Sequence, residues 1–174
     1  MDRVKGKVAI VTGSGSGLGR AEAVLFAKEG AKVAVTDIND ANGMGTVEMI
    51  RAEGGEAEYW HLDASKEKEC ADVLAQVVEK FGKLDILVNN AGITGPDVPT
   101  EEVEEADWDR MFAINVKSVL FMTKHAIKYL RESGKGAIVN TSSLSGIVGD
   151  TELTPYHATK GTIVIMTQKD AIQY

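Results

Sequence analysis

Tyr156 and Lys160 stand four residues apart, a spacing that puts both side chains on one face of a helix. Thr154 and Pro155 just before them read as a helix start, with Thr154 as the cap and Pro155 at a first position that needs no N–H. An ammonium beside a phenol favours the phenolate. A group that ordinarily titrates near ~10 can then exchange protons at neutral pH. Ser143, upstream in a run of small and polar residues, offers a hydroxyl to hold a substrate oxygen. Taken alone, a Tyr–Lys pair at this spacing is most often a solvated surface pair. Its chemistry depends on what the rest of the chain places beside it.

That chain alternates strand and helix. Short apolar or β-branched runs predict strands at 7–12, 32–36, 57–62, 84–88 and 136–141. Between them, Ala21, Val24 and Leu25 mark the apolar side of a first helix closed by Gly30, and a second runs from about Ala41 to Ala52. Cys70, Val73, Leu74, Val77, Val78 and Phe81 recur at three and four, between a cap at Ser65 and a stop at Gly82. One long helix is expected from about Asp107 to Arg131, burying Phe112, Val116, Val119, Thr123, Ala126 and Leu130. In the last segment Thr159, Thr162, Ile163, Val164, Ile165 and Thr167 would permit a strand. The cap signals and the alternation favour a helix there. The pattern predicts an α/β fold, a doubly wound parallel sheet whose ligands lie beyond the carboxyl ends of the strands.

Each remaining motif falls just after a strand. Thr12-Gly13-Ser14-Gly15-Ser16-Gly17-Leu18-Gly19 follows the first strand and opens the first helix. Glycines there permit a tight turn and close approach of backbone to a pyrophosphate, and the helix N-terminus offers unpaired N–H groups to the anion. Asp37, with Ile38 beside it, ends the second strand, where a carboxylate accepts hydrogen bonds from ribose hydroxyls and repels a 2′-phosphate. No Arg or Lys occurs at 14–18 or 38–40, so NAD is favoured over NADP. Asp63 after the third strand could reach an adenine amino group or simply stabilise the next helix's first turn. Asn89-Asn90-Ala91-Gly92 follows the fourth strand, and small residues and amides there suit both a cofactor and a plain turn.

Composition narrows the partners. A net charge of −7 over 174 residues argues against nucleic acid or an anionic membrane, and favours a protein working on small molecules. The single cysteine can form no internal disulfide, and with three scattered histidines a zinc site is not expected. The first apolar run is too short for a signal peptide or a membrane span, and a cytoplasmic location is expected.

In order and at matching spacing, Thr12-Gly13-xxx-Gly17-x-Gly19, Asn89-Asn90-Ala91-Gly92, Ser143 and Tyr156-xxx-Lys160 closely resemble the compact branch of the short-chain dehydrogenase/reductases. The resemblance covers essentially all of residues 1–174 and implies a single NAD-binding Rossmann-type domain. It implies hydride transfer between a nicotinamide and a secondary alcohol or ketone, with Tyr156 as general acid/base, Lys160 holding the nicotinamide ribose and Ser143 positioning the substrate oxygen. Asn115 matches the family's helical asparagine, which holds a water connecting Lys160 to solvent. Gly13, Ser16, Gly17, Leu18, Gly19, Asp37, Ile38, Asp63, Ala64, Asn89, Ala91 and Gly92 would line the cofactor, joined by Tyr156 and Lys160 at the nicotinamide ribose. A homodimer or homotetramer is implied as well.

The resemblance stops short at one end. The family's later strands and Pro-Gly turn have no counterpart here, the three prolines being followed by Asp97, Thr100 and Tyr156. The expectation is a portion of a longer enzyme, with a shortened, non-catalytic NAD-binding or partner-dependent module as the alternative. A sheet ending at the fifth strand would leave an open edge and uncovered apolar surface. An extended-branch epimerase is disfavoured, because Ser16 stands where that branch has a glycine.

Overall fold

Strands buried on both faces need no polar alternation, and the all-apolar runs of this chain form the middle of its sheet. The computed structural model describes residues 2–174. Strands β1 (Val8–Thr12), β2 (Lys32–Asp37), β3 (Glu56–His61), β4 (Ile86–Asn89) and β5 (Ala137–Asn140) pair in the order β3-β2-β1-β4-β5, every pair parallel. The expected doubly wound α/β sheet is present. Strand order reverses between β1 and β4, which opens a crevice at their carboxyl ends.

Alternate residues of β1 feed two cores. Val8 and Ile10 join Leu74, Val77, Leu84, Leu87 and Met122 on one face, under α3 (Glu67–Phe81) and α5 (Ser118–Glu132). Ala9 and Val11 join Ala23, Ala27, Val33, Val35 and Ile50 on the other, under α1 (Gly17–Lys28) and α2 (Asp40–Ala52). Cys70 lies in the first core, where burial, seconded by nearby carboxylates, pushes its thiol up to about 12. It packs and does not react.

Several local readings need correction. The buried face of α1 is Gly19, Ala23 and Ala27, while Leu25 is 51% exposed. Small residues four apart let the helix lie close to the sheet, and this outweighs the larger apolar side chains of the expected face. The residue capping α3 is Lys66 and not Ser65, whose hydroxyl and amide both donate to Asp63 Oδ1 (2.6 and 3.1 Å). The stop at Gly82 is left-handed as expected (φ 84°).

The long helix is in fact two, α4 (Glu105–Phe112) and α5, joined through a wide π turn, Ala113–Lys117, that buries Asn115. The last segment, α6 (Thr154–Gln173), is helical despite its β-branched residues. Leu153, left-handed at φ 60°, occupies its cap position, and Thr154 Oγ1 instead meets Thr100 Oγ1 at 2.7 Å. The outer edge of β5 has no strand beside it among the described residues, and Val139 is 47% exposed there.

Candidate active site

The glycine-rich turn is held mainly by its own polar groups. Ser14 Oγ donates to Val11 O (2.8 Å) and accepts from Thr36 N (3.0 Å), and Thr46 Oγ1 of α2 donates to Ser14 O (2.9 Å). A Cβ on Gly13 would come within 2.9 Å of Ala91 Cα, and one on Gly19 within 2.4 Å of Gly13 O. Both glycines thus serve close packing, and Gly19 stands back from the cavity that the turn borders. Gly17 differs: at φ 52° it has nothing within 4 Å of where a side chain would project. Ser16 precedes α1 without a side-chain cap bond, and no acidic residue sits in the first turn. Free N–H groups at this end therefore face open space, the arrangement that suits an anion.

That space is a cavity of about 500 Å³, within the usual range of small-molecule sites, roughly 300–1,000 Å³. Gly13, Ser16, Gly17 and Leu18 border it from the turn, Asp37 and Ile38 from β2, and Asp63 and Ala64 from beyond β3. Ala91 and Gly92 close it beyond β4. Asp37 Oδ2 accepts from Gly15 N (2.8 Å) and Oδ1 from Asn39 N (2.9 Å), while Tyr59 Oη holds the Asp37 carbonyl (2.8 Å). Burial pushes the Asp63 carboxyl upward, but the Ser65 hydroxyl and amide and the Lys66 ammonium outweigh it and hold the group below its ordinary range.

The fourth-strand motif divides its labour differently from expectation. Asn89 does not line the cavity; its side chain is buried, and Nδ2 donates to Asn140 Oδ1 (2.8 Å) and Thr123 Oγ1 (3.4 Å), tying β4 to β5 and α5. Side chains alternate along a strand, so the neighbour faces the turn. Asn90 Nδ2 donates to Thr12 O (3.0 Å) and Gly13 O (3.2 Å), and Thr12 Oγ1 accepts the amides of Asn90 and Ala91 (both 3.0 Å). Asn90, named within the motif but given no cofactor role, borders the cavity, as do Ile93, Arg110 and Ile114, which were not singled out from the sequence. For Ile114, inside the π turn, and Arg110, on the helix before it, no local signal existed.

Gly92 is the junction between the cavity and the Tyr–Lys pair. A Cβ there would lie 3.1 Å from Asn115 Oδ1 and 3.7 Å from Lys160 Nζ. Asn115 is fully buried; its Oδ1 accepts from Ile93 N (2.8 Å) and its Nδ2 donates to Ile93 O (2.9 Å) and Thr159 Oγ1 (3.1 Å). It thereby fixes the loop after β4 to α6, one residue from Lys160. Lys160 is 4% exposed, and burial pushes its ammonium down from its ordinary value. Its Nζ donates to Thr141 O (2.8 Å) and lies 5.5 Å from the centre of the Tyr156 ring. The ammonium thus faces the ring of Tyr156, its hydrogen bond going to the end of β5. Ser142 Oγ donates to Lys160 O (2.9 Å), whereas Ser143 Oγ accepts from Ser145 N (3.2 Å) and is half-buried at the start of a short turn. The arrangement sets an anchored amide and a buried ammonium behind Gly92 at the cavity wall, with the Tyr156 ring beside the ammonium.

The whole of this fold has counterparts among known proteins. The family model for short chain dehydrogenases matches residues 7–174. An uncharacterized oxidoreductase of Thermotoga maritima is 42% identical over 98% of this chain and 66% of its own length. Cyclopentanol dehydrogenase of Comamonas sp. is 39% identical over 99% of this chain and 68% of its own. A solved structure of NAD+-bound xylitol dehydrogenase superposes with a TM-score of 0.96 at 32% identity, covering 98% of this chain and 66% of that one. The chain spans about two thirds of the length of these relatives.

Proposed function

The chain belongs to the short-chain dehydrogenase family, and from that premise we propose that it binds NAD and interconverts a secondary alcohol and a ketone. The observation that carries this reading is the placement of Lys160, buried beside the Tyr156 ring and 3.7 Å from where a Cβ on the cavity-lining Gly92 would stand. The names of the relatives, cyclopentanol dehydrogenase and NAD+-bound xylitol dehydrogenase, support both the substrate class and the cofactor.

The residues present fit a dinucleotide. The open face of Gly17 and the uncapped start of α1 would take the pyrophosphate, Asp37 the adenosine ribose, and Asp63 with Ala64 the adenine. Gly92, with Lys160 behind it, would border the nicotinamide ribose. When bound, the nicotinamide supplies or receives the hydride. The chain's own groups handle the proton and the orientation. Ser143 Oγ holds the substrate oxygen, and the Tyr156 hydroxyl donates a proton to that oxygen in reduction or takes it in oxidation. Lys160 keeps positive charge beside the phenol. Asn115 keeps α6 and the loop after β4 in register. On this reading residues 1–174 form one cofactor-binding unit of a cytoplasmic homo-oligomer.

The test is to supply NAD with a panel of small secondary alcohols and follow NADH formation. NADH binding without oxidation of any alcohol would favour the non-catalytic module. Cofactor choice gives a sharper measurement. In Asp37→Ala the ratio of kcat/KM for NAD over NADP falls by about tenfold or more, because the repulsion of a 2′-phosphate is removed. An unchanged ratio would assign Asp37 to holding Gly15 and Asn39 alone.

A further inference from the structure

We infer that Arg110 binds the anionic diphosphate of the dinucleotide, an inference that rests on the cavity being a dinucleotide site. Arg110 is the one cation among the residues that line the cavity, and it shares the walls with two carboxylates, Asp37 and Asp63. A ligand carrying two negative charges would meet those carboxylates in a chain whose net charge is already −7. The α1 N-terminus supplies a partial positive charge, about half a unit, and Arg20 of its first turn is held against Gly15 O and Thr46 Oγ1 rather than on the cavity wall. A full cation on the cavity wall itself offsets those carboxylates, and Arg110 is the one there.

The partners of each neighbour support the assignment. Asp63 is answered by Lys66 (3.2 Å), and Asp37 takes the amides of Gly15 and Asn39. The guanidinium of Arg110 has no carboxylate within ion-pair distance among the described residues, although Asp107 and Asp109 precede it on α4. It is exposed and therefore free to turn toward a ligand. Its position is also set by the helix. Arg110 and Ile114 are four residues apart and both border the cavity, Arg110 standing between it and a smaller one that it shares with Asp107 and Met111. A guanidinium offers the forked donors that match phosphate oxygens, which a lysine ammonium does less well.

The experiment titrates the parent protein, Arg110→Ala and Arg110→Lys with NADH, ADP-ribose and adenosine, following ligand or tryptophan fluorescence at two salt concentrations. Arg110→Ala weakens NADH and ADP-ribose by about three- to tenfold, leaves adenosine unchanged, and flattens the salt dependence of NADH binding. Arg110→Lys recovers part of the loss. Equal affinity for ADP-ribose in the parent and in Arg110→Ala overturns the inference. So does an equal loss for adenosine, which would place the guanidinium on the base. A parent protein that binds neither NADH nor ADP-ribose brings down the dinucleotide reading itself, and Arg110 with it.

Discussion

Tyr156→Phe leaves NADH binding unchanged and lowers turnover by about 10²–10⁴-fold, the usual contribution of a positioned acid/base. The substitution removes one oxygen and keeps the ring, so the packing of Lys160 Nζ 5.5 Å from the ring centre survives. The ring of Tyr156 is not among the residues bordering the cavity, so the cofactor should keep its affinity. What disappears is the proton path to the substrate oxygen. Steady-state turnover and NADH fluorescence titration on the same preparation separate the two effects. Turnover within a few-fold of the parent would remove Tyr156 from the mechanism. Parallel loss of turnover and NADH affinity would mean that the phenol organises the site and transfers no proton.

The second large effect concerns stability at the other end of the sheet. Asp85 is buried just before β4, where Oδ2 accepts from Val8 N (2.9 Å) and Lys83 Nζ lies 2.9 Å from the same oxygen. Lys7 Nζ reaches Oδ1 at 3.1 Å. These bonds join the start of β1 to the start of β4, the two strands that flank the crevice. Asp85→Ala leaves the Val8 N–H unpaired in the core and two lysines without their carboxylate. The expected loss is about 3 kcal/mol, at the lower end for broken buried pairs because both lysines keep contact with water. Denaturant unfolding measures it, and a loss below about 1 kcal/mol would mean that water replaces the carboxylate.

The same residue predicts a pH dependence. Burial pushes the Asp85 carboxyl upward, but Lys83, the Val8 amide and Lys7 outweigh this and hold it below its ordinary value. A folded value below the unfolded one gives stability that is fully present above the unfolded pKa, near ~3.9. It drains away as pH falls through the folded value. The gap in stability between the parent and Asp85→Ala should therefore be constant at neutral pH and narrow in acid. Turnover per folded molecule should not change, since Asp85 lies at the amino ends of the strands and the Tyr156–Lys160 pair beyond the carboxyl end of β5.

How much of this was legible before the fold was known depended on how local the cause was. Strands β1, β2 and β4 could be read because a strand buried on both faces is written as an unbroken apolar or β-branched run. Gly17, Asp37 and Asp63 could be brought to one cavity because each lies at or a few residues beyond the carboxyl end of a strand, and parallel strands deliver those ends to one side. The helix at Tyr156 prevailed over its β-branched residues because a proline start and the alternation of units agreed. Readings failed where the deciding partner was distant. Asn89 and Asn90 are the same residue type side by side, and only the neighbouring turn and β5 decide which amide faces the cavity. In α1 the sheet selected Gly19, Ala23 and Ala27 for closeness, against the more apolar Leu25. The π turn that buries Asn115 and aims Ile114 has no signature in residue type, since it exists to meet Ile93 and Thr159. Local backbone preference and strand polarity thus set the order of elements and the edge where chemistry occurs. The individual contacts at that edge were settled only by packing between segments far apart in the chain.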